Sequence, residues 1–277
     1  MKIYTRNQNA IVTAVTPIPR TKLCSLPFLL PVDGKLTTTD VYSIPGNALR
    51  GLGRRLLFRH VFTELLGADF DKTLAELPAL HRDGIASLFE NGGSKKELGT
   101  MTLDEWSSTY REILKDLPML DLLGGVFMSQ VFRGKANIGS PVLRTQETQK
   151  FFEAHRVFEH SSEPLPHLAE LKAEVERTGH LVHESFFWTS SLMETPFEGT
   201  VLAFDAFLSL IARHKWIGRL NGNGALWHAD IQFNGMDPMK AIQLFDEFLL
   251  DNKQNVLDGI RLLAESFHYA PESAVLA

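Results

Sequence analysis

Between Val41 and Thr63 the chain carries four arginines and no aspartate or glutamate, although its formal net charge is −5. The stretch opens Ser43-Ile44-Pro45-Gly46-Asn47-Ala48-Leu49-Arg50-Gly51-Leu52-Gly53-Arg54-Arg55. Pro45 fixes φ and lacks an N–H, so the chain arrives extended and a helix begins just after it. Gly46 and Asn47 suit the N-cap region, where the first N–H groups have no intrahelical partner. Those donors, with the positive end of the macrodipole, make an anion site. At about 100° per residue Asn47, Arg50 and Arg54 stack along one face with Gly51 beside them, while Leu49, Leu52 and Leu56 line the other. Gly51 and Gly53 each cost about 1 kcal/mol of helix propensity relative to Ala, which a merely solvated face has no reason to bear. The expectation is a helix presented, amino end first, to a phosphate, with Asn47, Arg50, Gly51, Arg54 and Arg55 on the binding face.

Around that helix the chain alternates core segments with insertions. Asn9 to Thr16 is β-branched and alternating, a first strand. Residues 17–40 hold four prolines and little periodicity, which reads as a long irregular loop. Residues 64–120 read as several short helices, broken at Pro78, at Asn91-Gly92-Gly93-Ser94 and at Pro118. Residues 126–143 give two strands around Gly134, and Thr145 to Gly179 is polar and charge-rich. Strand signals return at His183 to Leu192 and Gly199 to Phe204, followed by a helix from Asp205 to about Lys215 and a strand from Ala225 to Phe233. Amphipathic helices at Pro238 to Leu250 and Gln254 to Phe267 close the series. Without its insertions the order is strand, helix, strand, strand, helix, strand. That order predicts an α+β fold, a ferredoxin-like or RRM-type antiparallel sheet with both helices on one face. The other face and the loops are then open to single-stranded RNA. The boundaries are one elaborated domain over 1–277, a loop at 18–43, a helical insertion at 64–120, a second insertion at 145–182 and C-terminal helices at 237–277.

With 277 residues, 44% of them hydrophobic, the chain can bury a large core. No run approaches the ~20 apolar residues of a membrane span, and Met1 to Gln8 lacks the apolar stretch of a signal peptide, so no membrane partner and a cytoplasmic location are expected. The single cysteine, Cys24, excludes an internal disulfide and a cysteine-based zinc site. A pI near 6.1 argues against a uniformly basic nucleic-acid coat, so any nucleic acid is held by a local stripe. Arg133, Lys135 and Arg144 lie on the hairpin between the second and third core segments and extend such a stripe. The histidine pairs His155/His160 and His180/His183, and His228 with Asp230, lack the His-Glu-x-x-His spacing of a helical zinc site. Gly218 to Gly224 lacks the Lys-Ser/Thr of a phosphate loop. Neither metal nor cofactor is expected. Phe151-Phe152, Phe186-Phe187-Trp188 and Trp227 offer surfaces for base stacking, but aromatic runs at strand spacing more often fill a core.

Four stretches, in order, carry a family resemblance. Ile44 to Arg55 resembles the "IPG-small-small-Leu-basic-Gly" signature of the RAMP superfamily of CRISPR-associated proteins. Leu122-Leu123-Gly124-Gly125 with Gln130 to Gly134 is similar to that family's "Leu-Phe-Gly" turn and following strand. Glu194 to Phe204 resembles its "small-Gly-Thr-hydrophobic" strand, and Gly218 to Ala225 its late glycine-rich turn. The resemblance implies a backbone subunit of a class 1 CRISPR effector complex, most like type IV. Such subunits line up head to tail along a guide RNA, with other effector subunits, to recognise a complementary target nucleic acid in defence. It places Arg219, Asn221 and Asn223 of the glycine-rich turn on the RNA surface. It makes residues 18–43 a thumb reaching toward the next subunit, with Leu30, Val32, Asp33 and Lys35 at its tip. Backbone subunits of type III complexes cut target RNA with a thumb aspartate and a divalent cation, and Asp33 and Asp40 lie in the corresponding segment. No motif surrounds them, so the expectation is no catalytic residue and a subunit that binds without cutting. The alternatives are a cleaving type III subunit or an independent ferredoxin-like endoribonuclease using His155, His160 or His183 as base.

Overall fold

The computed structural model describes residues 8–14, 18–19, 24–32, 35–93, 103–127, 130–154, 165–181, 185–218, 226–233 and 235–266. The first strands are β1 (Gln8–Ala14), β2 (Ile18–Pro19), β3 (Cys24–Val32) and β4 (Lys35–Ser43). A helical run follows: α1 (Gly46–Phe58), a π-helical turn (Arg59–Leu65), α2 (Gly67–Glu76), α3 (Ala79–Asn91), α4 (Leu103–Asp116) and α5 (Pro118–Leu123). The middle of the chain comprises β5 (Gly124–Phe127), β6 (Gln130–Arg133), β7 (Ala136–Ile138), β8 (Val142–Leu143), α6 (Gln146–Ala154), α7 (Leu168–Thr178), β9 (His180–Leu181) and β10 (Ser185–Leu192). The last elements are α8 (Glu198–His214), β11 (Trp216–Gly218), β12 (Leu226–Phe233), α9 (Pro238–Asp251) and α10 (Lys253–Ser266).

The main sheet runs β11-β12-β1-β10-β8-β4-β3, with β7 also paired to β10. Its centre is the ferredoxin-like order, fourth-first-third-second: β12, β1, β10, then β7 and β8, every neighbour antiparallel. The strand between the two crossover helices is therefore split, β7 and β8 both lying against β10 and separated by the turn Gly139-Ser140-Pro141. Strand alternation puts opposite faces of β10 into different cores. Phe186, Trp188 and Leu192 join α1, α5 and α8 in the main core. Phe187 points the other way and packs with Leu30, Val41, Val142, Phe152 and Leu168. Phe152 of α6 and Leu168 of α7 thus cover that part of the second sheet face, so it is less open to RNA than the element order predicts.

Three segments differ from their predicted form, and the first is 126–143, expected as two strands around Gly134 but built as β6, β7, β8 and the end of β5. The irregular loop expected at 17–40 is in large part a hairpin, with β3 and β4 paired over nine residues from Cys24↔Ser43 to Val32↔Lys35. It joins the sheet through Ser43↔Val142. The prolines that argued for a loop, Pro27 and Pro31, sit on the outermost strand, where a missing N–H breaks no ladder, and β4 carries the β-branched run Thr37-Thr38-Thr39. The strand expected at Gly199 to Phe204 is instead the start of α8. Its first turn puts Thr200 against Asp121, and the helix is buried on nearly all sides from Ala203 through Ala212. An apolar run enclosed all round loses the amphipathic period that marks a helix in sequence. Among the described residues no helix is long and apolar enough to cross a membrane.

Candidate nucleic-acid interface

α1 begins where the sequence predicts, but its amino end is closed. The Gly46 N–H donates to Ser140 Oγ at 3.0 Å, and the Ala48 N–H to Pro45 O at 2.9 Å. A Cβ on Gly46 would lie 2.5 Å from Ile138 O, so the β7–β8 turn sits directly on this end. The expected anion site at the helix terminus is therefore occupied by the protein's own turn.

The arginine face also differs from the prediction. Arg54 is buried at 9% exposure. Its Nη1 donates to Leu88 O at 3.2 Å and its Nη2 to Leu123 O and Gly124 O, both at 2.9 Å. Burial, and secondarily the neighbouring Arg50 charge, lowers its pKa from the ordinary guanidinium range to about 10. Arg50 is half-buried, donating to Ala136 O at 3.2 Å and to Leu123 O. Among the described residues neither guanidinium pairs with a carboxylate. Both cap α5: a helix leaves its last carbonyls unpartnered, and these donors meet that of Leu123, while Arg54 adds a second bond to Leu88 O of α3, which also accepts the Gly92 N–H. The Arg54 side chain is thus a clamp between α1, α3 and α5, which corrects its expected role as a phosphate contact.

What α1 presents outward is the row Asn47, Gly51 and Arg55, with Ala48 alongside. Asn47 is exposed, Gly51 and Arg55 half-buried. The row is spaced by four, so its members lie above one another on the helix. A Cβ on Gly51 would meet only the Arg55 guanidinium, at 3.8 Å. A Cβ on Gly53, by contrast, would lie 2.2 Å from the Phe207 ring of α8. Internal packing demands glycine at Gly53 and leaves Gly51 unexplained from within.

The remaining expected contacts divide. Arg133 is exposed on β6, and Lys135, just before β7, is half-buried. Arg144 is buried at 6%, with Nε donating to Gln149 Oε1 at 3.0 Å and the guanidinium 5.3 Å from the Phe187 ring centroid. It roofs the smaller core and does not face solvent, a second correction. Arg219, Asn221, Asn223 and Asp33 lie outside the described residues, as do His155, His160 and His183. On the hairpin Leu30 is buried at 1% while Lys35 is exposed, and the Val32 side chain is not described. The outward apolar residues are Leu29, 53% exposed, and Leu36, 71% exposed. Strand alternation could have found them: Leu29 and Leu30 are consecutive, so only one can point outward. Of the aromatics expected as stacking surfaces, Phe152 and Phe187 pack edge to face at 4.9 Å, and Phe186 and Trp188 are buried.

The interface is underpinned by one buried carboxylate that sequence reading missed. Asp121 of α5 is fully buried, and its Oδ2 accepts from Thr195 Oγ1 at 2.7 Å and Thr200 Oγ1 at 2.8 Å. Among the described residues its Oδ1 has no partner, and desolvation raises its pKa above the ordinary aspartate value. The carboxyl-terminal half of α5 is therefore fastened on two sides, to α1 by Arg50 and Arg54 at Leu123 and to α8 by Asp121.

No family model matches the chain, and no curated protein matches it. Among solved structures, a chain of a structure described as "Type IV-B CRISPR Complex" superposes with a TM-score of 0.50 at 17% identity, covering 83% of this chain and 91% of that one. Csc2 of Thermofilum pendens aligns at 13% identity with a TM-score of 0.37, over 98% of this chain and 79% of that one. The first likeness is one of fold, an α+β architecture shared along nearly the full length of the other chain; the second is too loose to establish a common fold.

Proposed function

We propose that this chain is a backbone subunit of a CRISPR ribonucleoprotein, several copies of which bind guide RNA side by side. The observation that carries this reading is the shared fold with a chain of a type IV-B CRISPR complex, which extends over 91% of that chain. The four ordered motifs, Ile44 to Arg55 foremost, support it independently of the superposition. In this reading guide RNA lies across the outward row of α1, with Asn47 and Arg55 as polar contacts and Gly51 as the place where sugar-phosphate approaches the helix backbone. Arg133 and Lys135 continue the contact surface. The β3–β4 hairpin is the thumb, offering Leu29 and Leu36 to the next copy, so subunits associate head to tail in an open row, not a closed dimer. The subunit binds without cutting; Asp40, exposed on β4, serves the hairpin surface.

The test is to express the chain with a repeat-spacer array and its neighbouring effector subunits and to sequence the RNA that co-purifies. Guide RNA of one discrete length, protecting a stretch that grows with subunit copies, is expected. Heterogeneous cellular RNA, or none, refutes the reading. Added complementary RNA with Mg²⁺ or Mn²⁺ is expected to stay intact. Cleavage abolished by Asp33→Ala or Asp40→Ala would assign the chain to the cleaving class.

A further inference from the structure

α1 does not end at Phe58 but widens into the π-helical turn Arg59–Leu65, closed by the Leu66 N–H donating to Val61 O, five residues back, at 2.9 Å. π-Helical turns are rare and occur frequently at functional sites. This one faces the last turn of α8 across a cleft of about 300 Å³, floored by Leu56 and Leu210 and walled by Arg59, His60, Glu64, Arg213 and His214.

The polar groups in the cleft fall into two sets. His60 is fixed on both sides, with Nε2 2.7 Å from Asp246 Oδ1 of α9 and Nδ1 3.7 Å from Glu64 Oε2. Glu64 also meets Arg59 Nε at 3.2 Å. The two carboxylates are thereby engaged with groups of the cleft itself. The donors are not exhausted: among the described residues the terminal nitrogens of Arg59, the Arg213 guanidinium and the His214 ring have no partner. Arg59 is 74% exposed, and Arg213 and His214 are exposed, so all three reach solvent around one opening. Cations in the last turn of α8 also answer that helix's dipole. The dipole alone does not call for a third donor, Arg59, brought in from a different helix by a widened turn.

We propose that this cleft binds the phosphate group of a nucleotide. Two guanidinium forks and an imidazole, brought to one opening from two helices, suit a tetrahedral phosphate oxyanion, and the Leu56–Leu210 floor offers an apolar surface to the attached sugar or base. The phosphate belongs either to a free mononucleotide or to a strand passing over the helical layer. The cleft adjoins the guide-RNA surface proposed on α1, since Arg59 follows Arg55 by four residues, but its Arg213 and His214 come from α8.

The experiment uses the full chain freed of nucleic acid. Titration calorimetry is run with inorganic phosphate, adenosine monophosphate and an unphosphorylated twelve-nucleotide RNA. The expected result is saturable binding of at least one of the three, weakened about tenfold or more in the double variant Arg59→Ala/Arg213→Ala, as for loss of two charge-assisted contacts. His214→Ala, at an exposed position, is expected to weaken the same ligand by a smaller factor without moving the melting midpoint. Preference for the monophosphate identifies a mononucleotide site; preference for the oligonucleotide identifies a strand phosphodiester. No binding of any of the three, or equal binding by wild type and both variants, overturns the proposal. Guide-RNA retention by the double variant is measured in parallel, so loss of the cleft ligand with guide retained separates this site from the guide surface.

Discussion

Replacing Arg54 with Ala should unfold the junction between α1, α3 and α5 before it affects any ligand. The side chain donates to three main-chain carbonyls, those of Leu88, Leu123 and Gly124, at 3.2, 2.9 and 2.9 Å. Hydrogen bonds from a charged donor contribute about 1.5–3 kcal/mol each, but the guanidinium has also been desolvated, and that offsets part of the sum. Two of the acceptors keep another donor: Leu88 O still receives the Gly92 N–H, and Leu123 O still receives Arg50. The net expectation is about 3 kcal/mol of lost stability, or roughly 6–12 °C in melting midpoint at the 2–4 °C per kcal/mol typical of a chain this large. Arg54→Lys should recover little, since one ammonium cannot reach carbonyls on two helix ends at once. Thermal and urea denaturation of the apo chain measure the effect, and amide exchange locates it, with protection lost at the ends of α3 and α5. A variant that melts within a degree of wild type but binds RNA more weakly with a shallower salt dependence would refute the clamp and restore Arg54 as a phosphate contact.

Three further outcomes follow from the same geometry. Gly51→Ala should stabilise α1 by up to about 1 kcal/mol, because its Cβ enters open space, yet weaken guide RNA binding measured by filter retention; unchanged binding would show that nothing approaches the helix there. Asp121→Asn keeps an oxygen for the Thr195 and Thr200 hydroxyls while removing a buried charge. The folded pKa of Asp121 is raised by desolvation, so the stability associated with its protonated form is present below the unfolded value of about 3.9 and is lost as pH rises through the folded value. The non-titrating Asn variant should therefore gain on wild type between urea midpoints at pH 4.5 and pH 8, and a gap that shrinks with rising pH would contradict this. Leu29→Ser/Leu36→Ser should leave the melting midpoint unchanged, since both side chains are more than half exposed, while shortening the assemblies seen by native mass spectrometry.

Much of the central βαββαβ order was legible because several of its segments carry a local signal: the β-branched alternation of β1 and Pro45 before α1. The hairpin and the start of α8 were not, and for opposite reasons. In β3 the two prolines suppress the local strand signal, and the pairing that rescues them comes from β4, which a reading of one segment does not see. In α8 the β-branched and apolar run from Thr200 to Phe204 has strand propensity, and its helical state is set by the surrounding α1, α5 and α9.

The glycines of α1 show how far the candidate surface itself could be read. In sequence, Gly46 suits the N-cap region, while Gly51 and Gly53 weaken a helix and so call for a close neighbour. The structure supplies that neighbour from within at two of them, the β7–β8 turn at Gly46 and Phe207 at Gly53. Once those are accounted for, the demand for an external partner falls on Gly51 alone, and it draws in Asn47 and Arg55, the residues one turn either side. The same subtraction removes Arg54, whose donors are consumed by carbonyls that no sequence pattern places beside it, because Leu88 and Leu123 are 34 and 69 residues away. Charge in a sequence locates arginines; only what each one touches in the fold identifies Arg54 as a clamp between helices.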